Sequence, residues 1–88
     1  MARKSKRIEF RIMAPEAHQV LIAGTFNQWS ESADPMKRDE TGVWKKAKLL
    51  SDGNYEYKFI IDGEWMIDPG CCDTALNEHG TLNSVIRL

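Results

Sequence analysis

The chain has 88 residues, 42% of them hydrophobic and 28% charged, with a formal net charge of −1. That size fits one domain with a small core and no deep catalytic cleft, and it is too apolar and too weakly charged for a disordered chain. Twelve basic residues against thirteen acidic ones lack the basic excess of a dedicated nucleic-acid binder, and no apolar run reaches the roughly 18 residues of a membrane helix. In chain order, residues 1–7 carry Arg3, Lys4, Lys6 and Arg7 and read as a mobile basic tail, with a weak polyanion contact as the alternative. No apolar segment follows them, so no secretory signal is expected. The domain is expected over 8–88. Ile8, Phe10 and Ile12 alternate with Arg7, Glu9 and Arg11, a half-buried strand. Val20–Ala23 is a short apolar strand closed by Gly24. A polar, turn-rich segment with Phe26 and Trp29 embedded in it runs to Pro35. Val43–Leu50 reads as a strand interrupted by Lys45, Lys46 and Lys48, which leaves its register open and allows a bulge. Tyr55–Ile61 is the strongest strand, and Glu64–Ile67 follows it across Asp62-Gly63. Asp68-Pro69-Gly70 breaks the pattern, and Leu82–Leu88 is the last strand. Six or more short strands with no convincing helix predict an all-β sandwich of about 6–8 strands. A small open barrel is the alternative.

Asp-Gly between two strands calls for a type I′ turn, with positive φ at both positions. A two-residue turn sets the register: Ile61 opposes Glu64, Ile60 opposes Trp65, and Phe59 opposes Met66. Tyr55, Tyr57, Phe59 and Ile61 form the more apolar face, so they face the core, and Met66 shares that side. Trp65 and Lys58 then meet on the outer face as diagonal neighbours, roughly 7–8 Å apart at the backbone. Glu56 and Ile60 lie on that face too. An indole left outside beside a lysine needs a partner.

A pyranose ring supplies one. Its C–H face stacks on an indole, and its hydroxyls need fixed donors and acceptors of the Lys and Asn type. Two angled indoles would match a curved α-glucan, and Trp29, in a loop bordering the sheet, is the second. Trp29 has an alternative use as a loop anchor, Lys58 as a solvated surface cation, and Asn83 as a turn cap. Trp44 reads as core packing, Phe26 as a plug of the sandwich, and Asn27 as a ligand of loop backbone.

Several segments resemble one family. Gly24-Thr25-Phe26-Asn27-Gln28-Trp29 is similar to a G-x-F-N-x-W element. Tyr55 to Trp65 resembles Y-x-Y-K-F-x-V-D-G-x-W. Arg11 to Pro15, Asp68-Pro69 and Gly80 to Ile86 match an opening R-x-x-A-P, a D-P and a G-x-x-N-x-V/I element. Together they resemble carbohydrate-binding module family 48. It includes the glycogen-binding domain of the AMP-activated protein kinase beta subunit and the N-terminal domains of isoamylases and branching enzymes. The resemblance implies an early-set immunoglobulin-like sandwich. It implies carbohydrate contacts by the stacking residues Trp29 and Trp65, by Lys58 and by Asn83. His79 stands where some kinase-associated members place a leucine that pierces the glucan ring, and is kept as a candidate sugar contact.

The expected function is therefore non-catalytic binding of an α-1,4-glucan such as glycogen, starch or a maltooligosaccharide, in the micromolar to millimolar range. The alternative is a protein-interaction module that docks on an enzyme or kinase subunit and has lost its sugar site. A glycogen-metabolising enzyme on a separate chain is a further expected partner; nucleic acid and membrane are not. A glycoside hydrolase would need two carboxylates facing a cleft, roughly 5–5.5 or 6.5–9.5 Å apart. Asp62 is consumed by its turn, and Asp68 precedes Pro69, so no catalytic residue is assigned. Cys71 and Cys72 are adjacent and cannot staple the fold, which suggests reduced thiols and a cytoplasmic setting. No zinc-like spacing exists, and no metal or cofactor is expected.

Overall fold

The computed structural model describes residues 5–71 and 73–88. Eight strands run in chain order: β1 (Ser5–Met13), β2 (Val20–Gly24), β3 (Lys37–Arg38), β4 (Val43–Ser51), β5 (Asn54–Ile61), β6 (Glu64–Met66), β7 (Thr74–Leu76) and β8 (Leu82–Arg87). A short 3-10 turn, Thr25–Asn27, follows β2. All pairings are antiparallel. One sheet has the order β1-β4-β3. The other has the order β2-β5-β8-β7, with β6 also paired to β5. No ladder joins the two sheets among the described residues, so the molecule is a sandwich and the barrel alternative is set aside.

The inner face of each sheet follows from period-two alternation. Phe10, Ile12, Trp44 and Leu50 from one sheet meet Val20, Ile22, Tyr57 and Phe59 from the other. The Phe10 ring stands edge-on to Tyr57 with centroids 4.9 Å apart, and Tyr57 meets Phe59 at 5.9 Å. Offset and edge-on aromatic pairs add to area burial. Phe26 closes one side against Phe10 and Tyr55, as a plug of the sandwich should. Trp44 is buried, and its Nε1–H donates to the Ala14 carbonyl at 2.9 Å. The Tyr57 hydroxyl donates to Asp68 Oδ2 at 2.7 Å. Burial, and then that acidic acceptor, push its pKa far above the ordinary tyrosine value.

The hairpin forms as its sequence dictates. Asp62 and Gly63 have φ of 48° and 85°, and Ile60 pairs with Trp65 and Phe59 with Met66. The Asp62 carboxylate accepts the backbone N–H groups of His18 and Gln19, both at 2.9 Å. Three expectations need correction. Residues 5–7 are not tail: they pair with Ser51, Leu50 and Leu49 as the start of β1; residues 1–4 lie outside the described residues, as does Cys72. Met66 has the core-side register but is 44% exposed, because it sits at the open end of the sandwich beside Pro15 and Pro69. β4 pairs with β1 over nine consecutive residues without a bulge. Its lysines fit because Lys46 and Lys48, in register with inward-facing Trp44 and Leu50, reach the buried Asp34. Lys48 Nζ lies 2.8 Å and Lys46 Nζ 3.8 Å from that carboxylate.

Candidate functional site

The site lies on the outer face of the β2-β5-β8-β7 sheet, where period-two geometry sends every residue that β5 does not give to the core. Glu56, Lys58 and Ile60 project there from β5. Leu21 and Ala23 project beside them from β2, paired with Ile60 and Lys58. Leu21, Ala23 and Ile60 form a second apolar cluster, and Trp29 packs on it. This is why β2 is buried along its whole length.

The loop that carries Trp29 is tightly pinned. Asn27 Oδ1 accepts Gly24 N–H at 3.0 Å, and Asn27 Nδ2 donates to the Ile22 carbonyl at 3.0 Å and to Asp34 Oδ2 at 2.7 Å. Trp29 N–H returns to the Gly24 carbonyl at 2.9 Å. Gln28 and Trp29 both adopt left-handed backbone, with φ of 57° and 59°, a conformation that costs non-glycine residues. Gly24 has no room for a side chain: a Cβ would lie 2.5 Å from the Glu56 carbonyl oxygen and 2.8 Å from Tyr57 Cβ. The loop can therefore leave the sheet directly over β5.

The Trp29 and Trp65 rings are 6.4 Å apart at their centroids and inclined by 44°. They form one wall of an open groove of about 980 Å³. Glu56, Lys58 and Asn83 line it from the sheet, Thr25 from the 3-10 turn after β2, and Asn77, His79 and Thr81 from the β7–β8 loop. All five residues expected to contact sugar, Trp29, Lys58, Trp65, Asn83 and His79, thus border a single depression. Their exposure differs. Trp65 is 43% exposed and Trp29 half-buried. His79 stands at the solvent rim beside Glu78. Asn83 is only 5% exposed.

A polar chain runs along the groove. Lys58 Nζ donates to Thr81 Oγ1 at 3.0 Å. Asn77 Nδ2 donates to Thr81 Oγ1 at 2.7 Å and to Asn83 Oδ1 at 2.9 Å. Asn83 Nδ2 donates to Glu56 Oε1 at 3.0 Å. Asn77 Oδ1 accepts the backbone N–H groups of His79 and Thr81. Thr25, Asn77 and Thr81 were not singled out from sequence. Asn77 carries a readable signal, an Asx-type turn over Asn77-Glu78-His79-Gly80; for Thr25 and Thr81 no such signal exists. Among the described residues no group of His, Cys, Asp and Glu has metal-site geometry.

A family profile described as the glycogen recognition site of AMP-activated protein kinase matches residues 7–88. Among curated proteins, the chain is 45% identical over 53 residues to protein PTST homolog 2, chloroplastic, of Arabidopsis thaliana, covering 60% of this chain and 10% of that one. It is 31% identical over 74 residues to the phosphoglucan phosphatase DSP4, amyloplastic, of Castanea sativa, covering 84% and 20%. It is 35% identical over 71 residues to the human 5'-AMP-activated protein kinase subunit beta-2, covering 80% and 25%. The chain thus spans between a tenth and a quarter of the length of these relatives.

Proposed function

The chain belongs to the family of AMP-activated protein kinase glycogen-recognition domains, and from that premise we propose that it is a non-catalytic module that binds α-1,4-glucan in the Trp29–Trp65 groove. The observation that carries this reading is the inclined indole pair beside Lys58. Two aromatic planes set at an angle can each take the C–H face of one glucose ring in a curved chain. Lys58, already oriented by Thr81, then meets hydroxyls on the ring edge, and His79 meets sugar at the rim. The groove is open to solvent, so much of a bound glucan stays hydrated. Affinity in the micromolar to millimolar range, about −4 to −8 kcal/mol, follows.

The test is a titration with β-cyclodextrin or maltoheptaose, followed by tryptophan fluorescence and amide shifts. Saturable changes centred on Trp29, Lys58 and Trp65 are expected. Trp65→Ala should remove them while the amide spectrum stays that of a folded chain, because Trp65 is 43% exposed and contributes little to the core. No response at about 10 mM sugar, above the range expected for such a groove, would overturn the reading and point to a protein partner for the same face.

A further inference from the structure

We propose that Asp34 is a positioning residue of the glucan groove: fixed by Lys48 of the opposite sheet, it closes the loop that carries Trp29 and holds that indole at its angle to Trp65. This rests on the glucan-binding reading above and deepens it. Asn27 opens the loop and Asp34 ends it, and the 2.7 Å bond from Asn27 Nδ2 to Asp34 Oδ2 ties positions seven residues apart. The Asn27 amide is fully used. Its Nδ2 gives its other proton to the Ile22 carbonyl, and its Oδ1 accepts Gly24 and Ser30 N–H at 3.0 and 3.3 Å. The reverse orientation of the amide would turn Oδ1 on the Asp34 carboxylate. The Asp34 carbonyl accepts Ile22 N–H at 3.1 Å, which seats its backbone on β2. The residue is 6% exposed, and its carboxylate takes Lys48 Nζ at 2.8 Å on the same oxygen that Asn27 uses. Lys48 stands on β4 of the other sheet, and its ammonium also lies 5.2 Å from the centre of the Phe26 ring. The base of the Trp29 loop is thus fastened to both sheets.

Stability alone gives little reason for this arrangement. A buried ion pair loses solvation that its attraction barely offsets, and apolar residues of similar volume often stabilise as well or better. What charge-assisted hydrogen bonds supply is a fixed direction. Direction matters here, because Gln28 and Trp29 hold left-handed backbone, which persists only where the surroundings fix it. Neither Asp34 nor Lys48 lines the groove, and a glucan of plain glucose units carries no charge. The pair therefore acts on the ligand through the loop and not through its field. With the loop fixed, Trp29 is presented at 44° to Trp65 before any sugar arrives. Without Asp34 the loop would have to be ordered on binding, and affinity would fall by that cost.

The test compares the wild type with the double variant Asp34→Leu/Lys48→Leu, which removes both charges together and fills their space with apolar atoms. Asp34→Asn, which keeps the shape and loses the charge, and Lys48→Arg, which keeps a cation on Asp34, are measured alongside. The readouts are β-cyclodextrin affinity of the folded protein and ¹⁵N relaxation of the Trp29 amide and indole N–H. In the wild type both Trp29 signals should be as rigid as those of β5, without sugar and with it. The double variant should keep the amide pattern of the two sheets and bind about fivefold more weakly, the cost of ordering one large side chain on binding. Its Trp29 signals should become mobile and regain rigidity when sugar is added. Asp34→Asn should show the same change to a smaller degree, about twofold to threefold, and Lys48→Arg should bind as the wild type does. A pair that only stabilises the fold would move the urea midpoint and leave the affinity of folded molecules unchanged. Unchanged affinity in the double variant and in Asp34→Asn, or weaker binding with Trp29 still rigid, overturns this assignment while leaving the glucan reading in place. If the double variant does not fold, Asp34→Asn decides by the same two readouts. A wild type that does not bind β-cyclodextrin overturns both.

Discussion

Gln28 and Trp29 hold two consecutive left-handed backbone conformations, which cost non-glycine residues about 1–3 kcal/mol each. They persist because the surroundings over-determine them. Asn27 makes four side-chain hydrogen bonds at the base of the loop, of 3.0, 3.0, 2.7 and 3.3 Å, and the Trp29 ring covers Leu21, Ala23 and Ile60. Trp29 is thus both a loop anchor and a wall of the groove. This separates Trp65 from Asn27 and Trp29 by phenotype. Trp65→Ala should lose glucan affinity and leave stability within about 0.5 kcal/mol, as for an exposed position. Asn27→Ala should lower stability by about 2–3 kcal/mol, because it leaves Gly24 N–H and the Ile22 carbonyl without partners. It should weaken binding as well, since Trp29 loses its support. Trp29→Ala should reduce both. Urea unfolding and cyclodextrin titration of the three variants check this. Full affinity in Asn27→Ala would mean that the loop does not depend on that hub.

At the scale of the strand, β4 shows what a sequence reveals and what it hides. The β5–β6 hairpin was legible, because a two-residue turn at Asp62-Gly63 leaves one register. That register alone put Trp65 and Lys58 on the outer face. β4 was only half legible. Lys46 and Lys48 look like errors in an inward-facing row until Asp34 is seen, and Asp34 comes from a loop with no periodicity to place it. β3, with two residues, and β7, with three, are too short to carry a pattern; their pairing partners define them. Asn83 was legible as a groove residue but not as a covered one, since its neighbour Asn77 reaches it only across the turn. The buried carboxylate has a measurable consequence. Burial pushes the Asp34 pKa up, but hydrogen bonds from Lys48 and Asn27 and the charges of Lys48 and Lys46 outweigh it, so it lies below the ordinary 3.8. A carboxylate lowered on folding contributes stability above its unfolded pKa, and that contribution is lost as pH falls through the folded value. The wild type should therefore lose stability as pH drops below about 4. Lys48→Met removes one partner of a largely buried pair, whose Lys48 side chain is 20% exposed. It should cost about 3 kcal/mol at pH 7. It should also raise the pH of acid unfolding, because burial then dominates at Asp34. Chemical denaturation between pH 2 and 7 measures both; an unmoved acid transition would mean that Lys48 does not hold the Asp34 charge.

For the whole molecule, the two faces of the β5 sheet divide the work. The inner face, with Tyr57 and Phe59 at 2% and 0% exposure, holds the fold. The outer face spends an indole and a lysine on a surface that the core does not need. Nearly all of the groove's walls stand on strands or on loops pinned by side-chain hydrogen bonds, so little ordering should accompany binding. Most of the contact energy should then appear as affinity rather than be lost to loop ordering. A ligand that binds only the folded chain raises its stability by mass action, about 1.4 kcal/mol at ten times the dissociation constant. For a domain of this size that corresponds to a rise in Tm of roughly 6–11 °C. The urea m-value should not change, because m follows the surface exposed on unfolding and a preformed groove adds almost none. A Tm that rises with maltoheptaose at constant m, and fails to rise in Trp65→Ala, is the behaviour of a rigid platform. A binding-dependent increase in m would mean instead that the Thr25–Asp34 segment or the β7–β8 loop folds onto the sugar. The groove would then be assembled by its ligand, with the polar chain from Lys58 to Glu56 completed only in the complex.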